Sequence, residues 1–149
     1  MMNHLLGLLG KSMFVHYCRT VLIRLGFISK PTYLARVVSD HPSPEDMVPG
    51  WIYVVGGSNY QKWAYLHCPT ESGEIMQLSL QSKQHPYWRI NIDWLCRPTV
   101  TPSIRQLTYP YAHYWIREGI VVWCKDSGNP SHLIQNSYTL KHKHYATNK

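Results

Sequence analysis

A mainly β fold is what this sequence predicts: a compact antiparallel sandwich or small barrel behind an N-terminal amphipathic helical segment. Three features predict it. Tyr and Trp are abundant (11 and 6) while Phe is scarce (2), and ten Pro and nine Gly supply turn residues. Between residues 51 and 124 short apolar runs recur at roughly 8–12-residue intervals, several with the period of two of half-buried strands. Before residue 28 the apolar spacing is instead helical.

Residues 4–27 place Leu5, Leu8 and Leu9, then Phe14, Tyr17, Val21 and Leu25, at helical or near-helical intervals, with Lys11, Arg19 and Arg24 between them. One or two helical segments, broken near Gly7 and Gly10, are expected. Such a segment either docks on its own domain or lies on a membrane or a partner protein. Residues 1–33 are thus a basic helical segment with a linker at Pro31, and the polar stretch SDHPSPEDMVPG leads to a turn at Pro49-Gly50.

WIYVV (51–55) reads as a buried strand ended by Gly56-Gly57-Ser58-Asn59, and WAYLH (63–67) as a second. EIMQLSL (74–80) and YWRINID (87–93) alternate apolar and polar residues. TVTPSI (99–104), AHYWI (112–116) and IVVWC (120–124) complete about seven strands, the last two joined at Arg117-Glu118-Gly119. A β-rich domain over 34–126 and a basic, frayed tail over 127–149, with His142 and His144 solvated, follow from this.

The net charge of +7 belongs to the two ends. Residues 1–33 carry four bases and no acid; residues 34–124 carry seven of each. That distribution argues against nucleic-acid binding, which needs basic residues clustered on the folded face. The four cysteines (Cys18, Cys68, Cys96, Cys124) form no C-x-x-C pair, and the LLGLLG run makes a poor signal peptide, so reduced thiols and a cytoplasmic location are expected. No uncharged run approaches the length of a membrane span. Enzymes built on a Gly-rich phosphate loop, a paired-His metal motif or a G-x-S-x-G elbow are excluded by the absence of those motifs. The six tryptophans suit core and rim positions better than a cofactor box.

TVTPSIRQLTYPYAHYW (99–115) poses the functional question. Ser103 follows Pro102, and His113 lies ten residues on, among tyrosines. A serine hydroxyl becomes a nucleophile only with a base about 2.6–3.2 Å away. Were 99–104 and 112–116 neighbouring strands, the two residues would face each other across the ladder, with Cβ atoms about 4.5–5.5 Å apart. Pro102 cannot donate to a ladder, so its strand should be an edge or begin there, open to an extended peptide. The plain alternative is a turn-forming serine and a structural histidine.

In order and spacing, VPGWIYVVGG, WAYLHCPTESGEIMQLSL, YWRINID, TVTPSI and AHYWIREGIVVWC resemble the BubE family. These are small bacterial and phage proteins linked to ubiquitin-like conjugation operons, sometimes mislabelled ammonia monooxygenase. The resemblance spans roughly residues 34–126 and rests on the ordered set of stretches. It implies a serine peptidase acting on the C-terminal tail of a ubiquitin-like or related protein, with Ser103 as nucleophile and His113 as general base. Asp93 is the favoured orienting acid, with Glu74 and Glu71 as alternatives. Backbone N–H groups near Ser103 or in the 71–74 turn would form the oxyanion site. The tail would lie along 99–104, against Thr101, Ile104, Tyr111 and Tyr114.

The same resemblance implies a cysteine-rich zinc pattern, and here the sequence departs from it. Thr70 and Ser72 stand where cysteines are expected in Cys68-Pro69-Thr70-Glu71-Ser72-Gly73-Glu74, and Pro110 stands where a third would precede His113. Neither Thr nor Pro supplies a thiolate. No cofactor is therefore expected; a residual zinc held by Cys68 and His113, with Cys124 and His67, is the minor alternative. Two further readings stay open: Cys68 as a thiol nucleophile using His113 as base, and a non-catalytic binding, inhibitory or structural β module.

Overall fold

The computed structural model describes residues 2–57 and 60–129, with side chains from residue 11 onward. One helix, α1 (Met2–Arg24), precedes eight strands among the described residues: β1 (Leu34–Val38), β2 (Trp51–Gly57), β3 (Tyr60–His67), β4 (Ile75–Ser79), β5 (Arg89–Ile92), β6 (Pro98–Arg105), β7 (His113–Arg117) and β8 (Ile120–Trp123). All seven expected strands are present. The helix continues through Gly7 and Gly10. The eighth strand, LARVV (β1), was overlooked in the sequence; it pairs parallel to β2, the one parallel ladder among the described residues. Most of the basic tail, with His142 and His144, lies outside the described residues.

Two four-stranded sheets, β1-β2-β3-β4 and β5-β6-β7-β8, form a sandwich. Ile52, Val54, Ala64, Leu66 and Leu78 from the first sheet meet Ile90, Val100, Ile104, Tyr114 and Ile116 from the second in one core. The unbroken apolar run of β2 has a local reason: Ile52 to Gly56 are all buried, because Val48 and the carbonyl of Asp46 cover the outer face by bonding Tyr53 Oη. Arg36 also lies 4.3 Å above the Tyr53 ring.

The large aromatics of the core are tyrosines. Tyr33, Tyr53 and Tyr114 are essentially fully buried, whereas no tryptophan is, and Trp94 is 62% exposed. Each buried hydroxyl finds a partner: Tyr33 donates to the His67 carbonyl (2.6 Å), and Tyr114 to Met76 Sδ (3.3 Å). Burial pushes both hydroxyls far above the usual tyrosine range. The tryptophans are therefore rim residues.

The β7–β8 hairpin is closed by Glu118 and Gly119, both at positive φ, as a two-residue primed turn requires. Gly119 also admits no side chain, because a Cβ there would run into the carbonyl of Tyr33 and the ring of Pro31. Its own carbonyl accepts from Thr32 and Tyr33 N–H (2.8 and 2.9 Å), which ties the entry to β1 onto the second sheet.

Candidate active site

The site is built on an irregularity in β6. Val100 pairs with Ile116 and Ile104 with Tyr114, so four steps along β6 are matched by two along β7, and the extra residues bulge out around Pro102. This corrects the expectation of an edge strand: β6 lies inside the sheet, between β5 and β7, and the proline without an N–H is accommodated by the bulge. Beyond it the pairing resumes, with Arg105 opposite His113. Ser103 is thus the diagonal neighbour of His113, on the same side of the sheet as Arg105. Trp88 fixes the bulge by donating its indole N–H to the Ser103 carbonyl (3.2 Å).

Ser103 Oγ lies 2.9 Å from His113 Nε2. On the other side of the ring, Nδ1 lies 2.6 Å from Asp126 Oδ1. Neutral histidine with its proton on Nδ1 satisfies both contacts: Nδ1–H donates to the carboxylate and Nε2 accepts from the serine hydroxyl. Arg105 donates through Nη2 to Asp126 Oδ2, and the same nitrogen is 2.8 Å from Nδ1. Two donors can approach so closely because Asp126 is the acceptor for both. Hydrogen bonding from His113, and after it from Arg105, holds the Asp126 carboxyl below its ordinary 3.8. Arg105 Nη1 is buried with no partner among the described residues, a desolvation cost that the charged pairing offsets.

Asp126 reaches the ring because the chain turns back after β8. Cys124 N–H donates to the His113 carbonyl (2.9 Å), the Ser127 hydroxyl accepts from His113 N–H (3.0 Å), and Gly128 N–H donates to the Tyr111 carbonyl (3.0 Å). These bonds lay residues 124–128 alongside 111–113. They also place Ser127 and Gly128 with the β domain, past the boundary expected at residue 126.

The favoured orienting acid, Asp93, is elsewhere. Its carboxylate accepts from Leu95 N–H (2.9 Å), Arg97 N–H (2.8 Å) and Arg97 Nε (2.7 Å), closing the 93–97 loop. Glu74 accepts from Gln106 and Thr108, and Gln106 alternates with Arg105 onto the opposite side of β6. Glu71 is exposed in the same turn, where Gly73 N–H is taken by the Thr70 carbonyl, so that amide is not free for an oxyanion.

Two of the four expected substrate contacts are corrected as well. Ile104 and Tyr114 are completely buried in the core, because the residue after an outward-facing one in a strand points inward. Thr101 is exposed, and Tyr111 is half-buried beside the site at φ 57, edge-to-face with the exposed Tyr109. Cys68 is 3% exposed and bonds Gln106 Oε1 through its thiol (3.4 Å), so it does not face His113 and the thiol-nucleophile reading is dropped.

The 68–74 turn does not fit a zinc ion. Thr70 and Ser72 hydroxyls bond each other (2.8 Å), the single thiol, Cys68, bonds the Gln106 amide, and Glu74 accepts from that amide. The His67 ring nitrogens face the carbonyls of Gly73 and Met47 (2.9 and 3.3 Å). Among the described residues only His113, Cys124 and Asp126 cluster as metal ligands would. There the guanidinium of Arg105 already supplies the positive charge. Burial, and then the Asp126 charge, push the Cys124 thiol upward, away from a ligating thiolate.

Sequence reading missed Asp126 and Arg105, though both left signals. Arg105 is two residues from Ser103 in a strand and so shares its side. Asp126-Ser127-Gly128-Asn129 is a turn-forming run placed directly after the last strand.

No curated protein and no solved structure matches this chain. Residues 38–124, more than half of the chain, match the family model described as bacterial ubiquitination-like system serine protease (BubE). Ser103, Arg105 and His113 lie inside the match, and Asp126 lies two residues past its end. The chain therefore belongs to the BubE family.

Proposed function

We propose that this chain is a serine peptidase that cleaves the C-terminal tail of a ubiquitin-like or related protein. The observation that carries the reading is the continuous relay from Ser103 Oγ through both nitrogens of His113 to Asp126. Ser103 Oγ attacks the scissile carbonyl while His113 Nε2 takes its proton; the imidazolium so formed is stabilised by Asp126. Collapse of the tetrahedral intermediate expels the tail amine, which receives the proton from Nε2 and leaves an acyl-serine. Water, deprotonated by the same nitrogen, hydrolyses that ester and restores the hydroxyl. Arg105 is a positioning residue: it fixes the second carboxylate oxygen and keeps Asp126 charged.

Two assays test this. A fluorophosphonate should label Ser103 in the wild type, with labelling lowered by about 10³-fold or more in Ser103→Ala and in His113→Ala. A ubiquitin-like protein carrying a C-terminal extension should lose that extension to the wild type alone. Equal labelling of Ser103→Ala would make the relay a structural hydrogen-bond chain, and the domain a binding module.

A further inference from the structure

Helix α1 carries more apolar side chains than its contact with the β domain covers. Arg19 Nη1 donates to the Leu95 carbonyl (3.0 Å), and His16, Arg19 and Thr20 line the grooves between the helix and Leu34, Trp51 and Cys96. Val15, Cys18, Leu22 and Ile23 are half-buried as well, so the helix docks through apolar residues alongside Arg19 and Thr20. Met13, Phe14 and Tyr17, at i, i+1 and i+4, are nevertheless 73%, 63% and 68% exposed, Met13 and Tyr17 at the rim of the groove toward Trp51 and Cys96. Leu25 and Phe27, just after the helix, are exposed too, as is Trp94 next to the Leu95 carbonyl that receives Arg19. Large apolar side chains left exposed so close together in the chain point to an interaction site.

Charge indicates what covers it. The exposed bases Lys11, Arg24 and Lys30 are interspersed with the apolar side chains along the segment, and no acid occurs before Asp40. A second copy of the same surface would set base against base. An anionic lipid surface instead accepts the bases among its headgroups and the aromatic side chains at the acyl boundary. No helix of the described residues is long and apolar enough to cross a membrane, so the geometry is that of a helix lying in the interface. The family match begins at residue 38, after this segment.

We infer that α1 and the turn following it bind anionic bilayers and hold the peptidase domain at their surface. Co-sedimentation of the full chain with phosphatidylcholine vesicles containing about one-third phosphatidylglycerol should show binding, and pure phosphatidylcholine should show little. Phe14→Ser/Tyr17→Ser and Lys11→Glu/Arg24→Glu should each weaken binding by about tenfold or more, with circular dichroism and fluorophosphonate labelling unchanged. Ser103→Ala should bind as the wild type does. Failure to bind the anionic vesicles, or equal binding to neutral ones, would overturn the inference. So would self-association without lipid that Phe14→Ser/Tyr17→Ser abolishes, since the occupant would then be a second copy.

Discussion

The two sides of β6 differ in kind. Toward the bulge, Ser103 and Arg105 meet His113 and Asp126 in a network of charged and charge-assisted hydrogen bonds. Toward the core, Ile104 is fully buried and Gln106 hydrogen-bonds to Glu74 and Cys68 at the 68–74 turn. One strand thus supports a relay that can move a proton on one side and a staple that can only hold two loops together on the other. An exchange of side-chain chemistry is tolerable in a staple, which only has to hold two loops together by neutral hydrogen bonds. It is not tolerable in the relay, where chemistry depends on one nitrogen accepting as the other donates.

Asp126→Asn against Asp93→Asn should divide the two acids most sharply. Asparagine at 126 presents its NH₂ or its carbonyl to Nδ1 without the charge that stabilises the imidazolium, so fluorophosphonate labelling should slow on the order of 10²–10⁴-fold. Asp93→Asn weakens the 93–97 loop and its pairing with Arg97. It should lower stability by about 1–3 kcal/mol and leave the labelling rate of the folded protein unchanged. The reverse pattern would move the orienting role back to Asp93.

Arg105→Met comes next, with an expected ten- to hundredfold loss of labelling rate, roughly what a misplaced catalytic group costs. Its pH signature separates it from a packing defect. Asp126 is held below 3.8 in the folded chain. A carboxyl depressed on folding adds stability above its unfolded value, and that stability is lost as pH falls through the folded value. Removing one of the causes shrinks the contribution. The gap in melting temperature between wild type and Arg105→Met should be full above about pH 4 and narrow as pH falls below it. A gap independent of pH would mean that Arg105 does not act through Asp126; Arg105→Lys should restore part of both effects.

What was legible in the sequence followed from period and composition. The seven strands from 51 to 124 announce themselves by apolar runs between turn residues, and Glu118-Gly119 by its turn chemistry. β1 is a short LARVV in a stretch otherwise rich in Pro, Ser and acids, and it becomes a strand only because β2 offers it an edge. The Ser103–His113 pair stands out in the sequence and takes its catalytic reading from the resemblance; Pro102 is the one local signal of the bulge, whose register is set by tertiary pairing. Ile104 and Tyr114 were misread as substrate contacts although alternation alone turns them inward once Ser103 and His113 face out. Asp126 is the last residue of the expected β domain with no strand pattern of its own, and only the return of the chain after β8 carries it to the ring.

The smallest expected effect lies in the staple. Glu74→Gln removes the charge that accepts from Gln106 and Thr108, at an exposed position, so about 1 kcal/mol and a few degrees of melting temperature are expected to go. Labelling of Ser103 should not change, because Gln106 faces away from it. Overnight chelation should leave both quantities where they were. If chelation instead lowered the melting temperature and zinc restored it, the hydroxyls of Thr70 and Ser72 would not be the whole of the staple. A metal held through Cys68, or through His113, Cys124 and Asp126, would then have to be found, and labelling discriminates between the two: only the second set shares its histidine with Ser103.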